Sequence, residues 1–194
     1  MTRLRLMMSD PFALAQLHAR QGETGDVQVL GGLPARAGRR PRVAPHPVPH
    51  RQLNDHAPPQ VLARLVAAFD AAVARDPARL RWALSHFERN NRAVTLAENI
   101  CCHADAATTN GEIAHIHPSD GSMHMVLSAS DAAFVVGHSW GERHSLAGIA
   151  LGLPTTYTLI YAPRDDHEVE IDTTILNAAV TYMVGASGRR TEKR

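Results

Sequence analysis

The stretch that decides the fold is GEIAHIHPSDGSMHMVL, residues 111–127. The runs 112–117 and 122–127 are typical of short β-strands, and the turn sequence Pro118-Ser119-Asp120-Gly121 lies between them. This arrangement predicts an antiparallel β-hairpin. The hairpin carries three histidines, which are His115, His117 and His124.

Helices and strands alternate after the hairpin. Ser128 and Asp131 form a capping box, which predicts a helix that stops at Gly137. Extended segments are predicted at 142–146 and, more clearly, at 155–161. A final helix is predicted from a cap formed by Asp165 and Glu168 to Gly185, and its apolar stripe comprises Ile171, Ile175, Ala179 and Met183.

Upstream of the hairpin, the sequence predicts two helices and one strand. The first helix begins at Pro58-Pro59, since proline suits the opening turn of a helix. Asp76-Pro77 ends it and is expected to open a second helix, which carries Leu80, Leu84 and Phe87. Residues 93–97 predict a strand, and 101–111 predict a loop.

These elements predict a single α+β domain with a mixed or mainly antiparallel sheet and helices packed on one face. The reason is that the hairpin is followed by helices and strands without regular βαβ spacing. Four segments are expected: an N-terminal segment at 1–30, a Pro/Arg-rich strap at 31–57, the α+β domain at 58–185 and a flexible tail at 186–194. The strap is interpreted as an ordered or solvated connection, or as an anion-binding strip.

Composition excludes several functional classes. Lys+Arg number 20 and Asp+Glu number 19, so the formal charge of +1 favours neither nucleic acid nor an anionic membrane as a partner. The two cysteines, Cys101 and Cys102, are adjacent and cannot connect distant parts of a fold. The sequence contains no apolar run of membrane-spanning length and no signal peptide, so we expect a cytoplasmic protein.

The histidines of the hairpin are predicted to share one face. His115 and His117 alternate along one strand, and a symmetric turn places His124 opposite His115 and Ser122 opposite His117. A bulge at Gly121 would instead shift the register and turn His124 away. Such a patch either acts as a general base, or binds Zn²⁺, Fe²⁺ or Cu²⁺, or is merely structural. A carboxylate from Glu112, Asp120 or Glu142 is a candidate to complete a metal site.

A second polar cluster is Trp140-Gly141-Glu142-Arg143-His144. Alternation places Glu142 and His144 on one face and Arg143 on the other. Arg143 either stabilises an enolate, carboxylate or peroxide anion or pairs with an acid. Trp140 belongs to the core or forms a platform for substrate. The sequence contains no G-x-S-x-G elbow, P-loop or dinucleotide fingerprint, which disfavours hydrolases and nucleotide-binding enzymes.

Four motifs together resemble the domain that fungal luciferases share with many uncharacterised bacterial proteins. They are H-x-H-P (115–118), D-G-S-x-H (120–124), W-G-E-R-H (140–144) and Y-A-P-R-D (161–165). The segment PRVAPHPVPHRQL, 41–53, also resembles the N-terminal strap of that family. The resemblance covers roughly residues 31–185, and the combination is more specific than any one of the motifs.

The resemblance implies an oxygenase-like enzyme that oxidises a small enolisable aromatic or pyrone substrate, such as 3-hydroxyhispidin, with O₂. No organic cofactor is expected, although a divalent metal at the three histidines is the first alternative. A non-catalytic module that binds a small ligand is the second. The predicted catalytic residues are His115, His117, His124 and Arg143, and the predicted substrate-binding residues are Asp120, Ser122, Trp140, Glu142 and His144.

Overall fold

The computed structural model describes residues 8–24, 28–44, 49–98, 100 and 102–185. The predicted tail at 186–194 lies outside the described residues, as do Cys101, Pro45 and Pro47. Six strands form one sheet within the described chain: β1 (Leu80–Leu84), β2 (Arg92–Leu96), β3 (Glu112–Ile116), β4 (Met123–Val126), β5 (Gly141–Arg143) and β6 (Tyr157–Ile160).

The sheet has the strand order β1-β2-β3-β4-β6-β5, and every neighbouring pair is antiparallel. The described residues also form five helices: α1 (Leu14–Thr24), α2 (Pro59–Arg75), α3 (Asp105–Thr108), α4 (Ala129–Gly137) and α5 (Asp166–Val184). The predicted α+β class with a mainly antiparallel sheet is confirmed. No helix in the described ranges is long and apolar enough to cross a membrane.

The helices begin where the sequence supplies caps. The Ser128 side chain accepts a hydrogen bond from the Asp131 amide at the start of α4, and the Asp165 side chain accepts one from the Glu168 amide at the start of α5. Helices α2, α4 and α5 pack against the sheet. The apolar stripe predicted for α5 is fully buried, so this helix covers the core face of β3 and β4.

The second upstream helix was a wrong prediction, because residues 80–84 form strand β1. Leu80 lies opposite Leu96 of β2, and Leu84 lies opposite Arg92. The spacing of the two leucines imitates one helical face, yet Leu80 is buried and Leu84 is exposed. Antiparallel pairing with β2 therefore overrides the local helical pattern. The segment predicted as a loop at 101–111 contains the short helix α3.

The hairpin of β3 and β4 has the symmetric register. His115 lies opposite His124, and the His117 amide donates to the Ser122 carbonyl at 2.8 Å. Gly121 allows this turn because its φ is 81°, in the left-handed region. A Cβ atom at this glycine would lie 2.5 Å from the Cβ of Ala57, so the strap also approaches the turn closely.

A bulge between β2 and β3 adds a carboxylate to the histidine face. Ala93 lies opposite His115, but Thr95 lies opposite Glu112, so one extra residue is present in β3. The extra residue brings Glu112 onto the same face as His115. Ile113, which simple alternation with His115 would place beside the histidines, joins the hydrophobic core.

The described part of the strap is bonded to the sheet. The Gln52 amide donates to Asp120 Oδ2 at 2.9 Å, and the Ala162 amide donates to Gln52 Oε1 at 3.0 Å. Arg36 forms a buried ion pair with Glu168 of α5, with an N–O distance of 2.8 Å. These bonds place the end of the strap over the histidine face of the sheet.

Candidate active site

Three histidine nitrogens converge beneath the strap. His115 Nε2 lies 3.1 Å from His117 Nε2, which lies 3.0 Å from His124 Nδ1. The third side, from His124 Nδ1 to His115 Nε2, measures 3.3 Å. We call this arrangement the histidine triangle. All three side chains are buried, and His115 and His117 are at most 1% exposed.

Polar partners hold the outer nitrogens of two of these rings. His115 Nδ1 lies 2.6 Å from Glu112 Oε1. His117 Nδ1 lies 2.8 Å from Ser122 Oγ, and Ser122 Oγ donates to Asp120 Oδ1 at 3.0 Å. Glu112 and Asp120 therefore fix the orientation of these two imidazoles, one directly and the other through a hydroxyl.

The outer nitrogen of the third ring meets the strap. His124 Nε2 lies 3.1 Å from His50 Nδ1, and His50 Nε2 lies 3.2 Å from Glu142 Oε1. The hydroxyl of Tyr161 donates to Glu142 Oε2 at 2.9 Å. A chain of hydrogen bonds therefore runs from the triangle through His50 to a buried carboxylate.

Burial keeps His117 and His124 uncharged. Desolvation lowers the pKa of His117 and of His124, and neighbouring positive charges lower both pKa values further. These two imidazoles are consequently neutral at physiological pH. Neutral imidazole has a lone pair that accepts a proton or binds a metal ion.

A pocket of about 390 Å³ opens in front of His124. The residues that line it include His50, Arg51, Phe87, Glu88, His124, His144 and Tyr157. Its volume lies within the usual range for small-molecule sites. Of the predicted site residues, His124 and His144 line it, whereas His115, His117, Asp120, Ser122 and Glu142 support those that do.

The hydroxyl of Tyr157 stands out in this wall. Tyr157 is 3% exposed, and its ring stacks on His124 with 4.8 Å between centroids. Among the described residues its hydroxyl has no hydrogen-bond partner. Burial raises the pKa of Tyr157, and so do the negative charges of Glu112 and Glu88, so the phenol stays protonated. It is thus a hydrogen-bond donor without an acceptor at the edge of a pocket.

His144 has a fixed orientation in the pocket wall. The Leu146 amide donates to His144 Nδ1 at 3.1 Å, so a neutral ring carries its proton on Nε2. The ring centroid lies 4.5 Å from that of His50. His50, His124 and His144 also place one ring nitrogen each within 4.8 Å of one another.

Two other predicted site residues lie away from the pocket. Arg143 pairs with Thr158 on the opposite sheet face, as alternation predicts, and its Nη2 donates to the Asp10 carbonyl at 3.5 Å. Trp140 is buried and donates from Nε1 to the Pro34 carbonyl at 2.7 Å, in agreement with the core alternative. The arginines that line the pocket are Arg51 and Arg89.

The pocket wall also contains His50, Arg51, Glu88 and Tyr157, none of which was among the predicted site residues. His50 and Arg51 lie in the strap, which was recognised as a family segment but not as part of the site. Tyr157 shares the face of His124 by alternation along β6, and this signal was available. Glu88 follows the misassigned strand β1, which hid its position.

Known proteins are similar to this chain over most of its length. Residues 110–179, which include the hairpin and most of α5, match the family described as Luciferase domain. A luciferase from Armillaria gallica is 36% identical over 166 residues, which are 79% of this chain and 62% of the relative. Residues 110–179 belong to the luciferase-domain family.

Other luciferase-domain relatives show the same extent of similarity. A luciferase from Armillaria mellea is 34% identical over 176 residues, 84% of this chain and 65% of the relative. A luciferase from Neonothopanus nambi is 32% identical over 168 residues, 79% of this chain and 62% of the relative. The chain therefore spans somewhat less than two thirds of the length of these relatives. No solved structure matches this luciferase-domain chain significantly.

Proposed function

We propose that this luciferase-domain chain oxidises a small enolisable aromatic or pyrone substrate with O₂ in the pocket in front of His124. The observation that carries this proposal is the hydroxyl of Tyr157, which has no hydrogen-bond partner among the described residues and lies in a pocket wall that also carries the imidazoles of His50, His124 and His144. The relatives named luciferase support the class of reaction. A hydroxylated pyrone of the 3-hydroxyhispidin type is the substrate that we propose to test.

The reaction begins with removal of the proton from the substrate hydroxyl. The resulting enolate is electron-rich and transfers electrons to O₂, so that a carbon–oxygen bond forms and O₂ is reduced to a peroxide anion. That anion then takes up a proton or attacks the neighbouring carbonyl. All electrons come from the substrate, so the reaction requires no organic cofactor.

His50 lines the pocket and is the proposed proton acceptor: Glu142 supports its Nε2, and its Nδ1, which faces His124, takes the substrate proton. The carboxylate accepts from His50 Nε2 at 3.2 Å and would stabilise the imidazolium that forms. This assignment moves the proton-acceptor role from the hairpin histidines to the strap. Of the three hairpin histidines, only His124 lines the pocket, where it lies next to His50.

Arg51 and Tyr157 are the proposed partners of the substrate anion. Both line the pocket, and the Tyr157 phenol is fixed by stacking on His124. A donor already in place stabilises a developing oxyanion without reorganisation. The Arg51 guanidinium pairs with Glu88 and adds positive charge at the same wall.

The experiment measures O₂ uptake and light emission when the purified chain meets 3-hydroxyhispidin. We expect uptake above the uncatalysed background and a loss of about 100-fold or more in kcat for His50→Ala. His167→Ala is the matched control, since its side chain is 72% exposed on α5, and it should retain full activity. Background uptake by the wild type would reject the proposal, and saturable binding without uptake would identify a ligand-binding module instead.

A further inference from the structure

The histidine triangle has a property that the proposed reaction does not use. We propose that His115, His117 and His124 together bind one divalent first-row transition-metal ion at the floor of the pocket. This inference goes beyond the proposed function, because a metal site exists or fails to exist whatever the substrate is. It makes the three hairpin histidines metal ligands rather than bases.

The first argument comes from the proton positions on His115 and His117. A carboxylate only accepts hydrogen bonds, so His115 carries its proton on Nδ1, where it faces Glu112. Ser122 donates its single hydroxyl proton to Asp120, so the Ser122 oxygen accepts a hydrogen bond from His117 Nδ1. Both Nε2 atoms are therefore bare lone pairs that face the triangle.

The same reasoning extends to His124 through the strap. Glu142 accepts from His50 Nε2, which leaves His50 Nδ1 as an acceptor. His124 then donates from Nε2 to His50, and its Nδ1 is the third lone pair of the triangle. Three buried lone pairs 3.0–3.3 Å apart repel one another unless a cation lies between them.

The second argument is geometric, and it compares nitrogens with ring centres. The three ring centroids lie 5.0, 5.2 and 4.7 Å apart, whereas the facing nitrogens lie 3.0–3.3 Å apart. Each imidazole nitrogen lies about 1.15 Å from its centroid. If the three rings point at one common centre, these separations place each nitrogen about 2.0 Å from that centre, and the angle between two nitrogens at the centre is about 105°. Tetrahedral metal–imidazole coordination has these dimensions.

A carboxylate of the pocket wall lies beside the triangle and is the proposed fourth ligand. Glu88 Oε1 is 3.8 Å from His115 Nε2, and its other oxygen is held by Arg51 and by Asn91. Glu88 lines the pocket, so the ion would lie between the triangle and the substrate space. A three-histidine set with a carboxylate suits Fe²⁺, Cu²⁺ or Zn²⁺, and the metal analysis below distinguishes them.

The supporting groups are those that metal-binding histidines require. Ligating imidazoles commonly donate their other N–H to a carboxylate, a carbonyl or a water molecule, which fixes the tautomer and raises the basicity of the ligand. In this chain Glu112 receives one such bond directly, Asp120 receives one through Ser122, and Glu142 receives one through His50. Each of the three rings thus has its own carboxylate behind it.

The experiment begins with metal analysis of the full chain as purified, followed by chelation and titration with Co²⁺. We expect up to one equivalent of Fe, Cu or Zn in the purified chain and saturation at one Co²⁺ per chain. Co²⁺ should give visible d–d absorption and three strongly shifted, exchangeable N–H proton resonances. The three resonances correspond to His115 Nδ1–H, His117 Nδ1–H and His124 Nε2–H, so they report the ligands themselves.

Two variants and one control complete the test. His117→Ala should abolish stoichiometric Co²⁺ binding, and Glu88→Gln, which keeps the triangle, should weaken it at least about tenfold. His167→Ala, an exposed histidine on α5, should bind as the wild type does. If His117→Ala fails to fold, the three resonances of the wild type and the Glu88→Gln titration still decide.

Three results would overturn the metal site. They are the absence of saturable Co²⁺ binding by the wild type, fewer than three shifted N–H resonances, and unchanged binding by His117→Ala. The first would mean that the triangle shares a proton instead of a metal ion. A metal-loaded chain without O₂ uptake would reject the proposed reaction and leave the metal site intact.

Discussion

Replacing Tyr157 by phenylalanine separates a functional hydroxyl from a structural one. The substitution removes one oxygen and retains the ring that stacks on His124. A buried polar group without a partner costs about 1–3 kcal/mol, and the Tyr157 hydroxyl has none among the residues that the structure describes. Tyr157→Phe should therefore leave the free energy of unfolding unchanged or raise it by up to about 3 kcal/mol.

The same substitution should lower activity. If the phenol donates to the substrate oxyanion, its loss removes one preorganised donor, and such a loss typically costs about 100-fold in turnover. We therefore expect a more stable and less active enzyme, as for residues that trade stability for function. Urea unfolding gives the first quantity, and the initial rate of O₂ uptake with 3-hydroxyhispidin gives the second.

Tyr161→Phe is the matched control for stability. Tyr161 lies on the same stretch of chain, but its hydroxyl donates to Glu142 at 2.9 Å. A hydrogen bond to a charged group contributes about 1.5–3 kcal/mol, so this variant should be less stable by a similar amount. The two tyrosines thus predict opposite signs for one chemical change. A Tyr157→Phe variant that loses stability and keeps its kcat/KM would refute the reasoning.

Three further predictions concern stability. Burial raises the pKa of Asp172, and neither carboxylate oxygen has a partner in the described chain, so its folded form holds a proton that the unfolded chain loses above about pH 4. Asp172→Asn should therefore be as stable as the wild type below about pH 4 and increasingly more stable above it, which melting temperatures across pH 3–8 would check. Burial would raise the pKa of Glu168, but hydrogen bonds from Arg36 and Arg164 outweigh it and lower this pKa to about 2. The stability that ionised Glu168 contributes is therefore complete above its unfolded pKa of about 4.5, and it is lost as pH falls through 2. Glu168→Gln should remove that dependence, and an unchanged acid-unfolding profile would contradict it. Gly121→Ala combines a positive φ with a 2.5 Å approach to Ala57 and should cost about 2–4 kcal/mol in urea unfolding, whereas a loss below about 0.5 kcal/mol would show that the strap moves freely.

The local part of the site was predictable from sequence because a hairpin fixes its own register. The turn at 118–121 sets the pairing of His115 with His124, and alternation along β3 places His117 on the same face as His115. The bulge at Glu112 was not predictable, because it depends on the partner strand β2 and not on β3 alone. Local spacing also misassigned residues 80–84, where pairing with β2 determines the strand.

The remaining part of the site depends on contacts between residues distant in sequence. His50 reaches His124 across 74 positions and Glu142 across 92 positions, and no local pattern carries such information. The path of the strap is fixed by buried hydrogen bonds, in which Gln52 donates to Asp120 and accepts from Ala162, and these bonds too become visible only in the folded chain. The sequence therefore identified the three histidines that the hairpin brings together but missed the strap residue that faces one of them.

The metal and the oxidation proposals constrain each other through His50. This residue is both the acceptor that fixes the tautomer of His124 and the proposed acceptor of the substrate proton. If both proposals hold, the substrate proton goes to His50 Nδ1, which also accepts the hydrogen bond from His124 Nε2–H. Replacing His50 by alanine removes this acceptor. His50→Ala should therefore change the shifted N–H resonances of the Co²⁺-loaded chain as well as lower turnover. The expected result is loss of the His124 N–H resonance from the Co²⁺-loaded chain while the signals of His115 and His117 remain. Loss of turnover with all three resonances unchanged would instead separate the proton acceptor from the metal site.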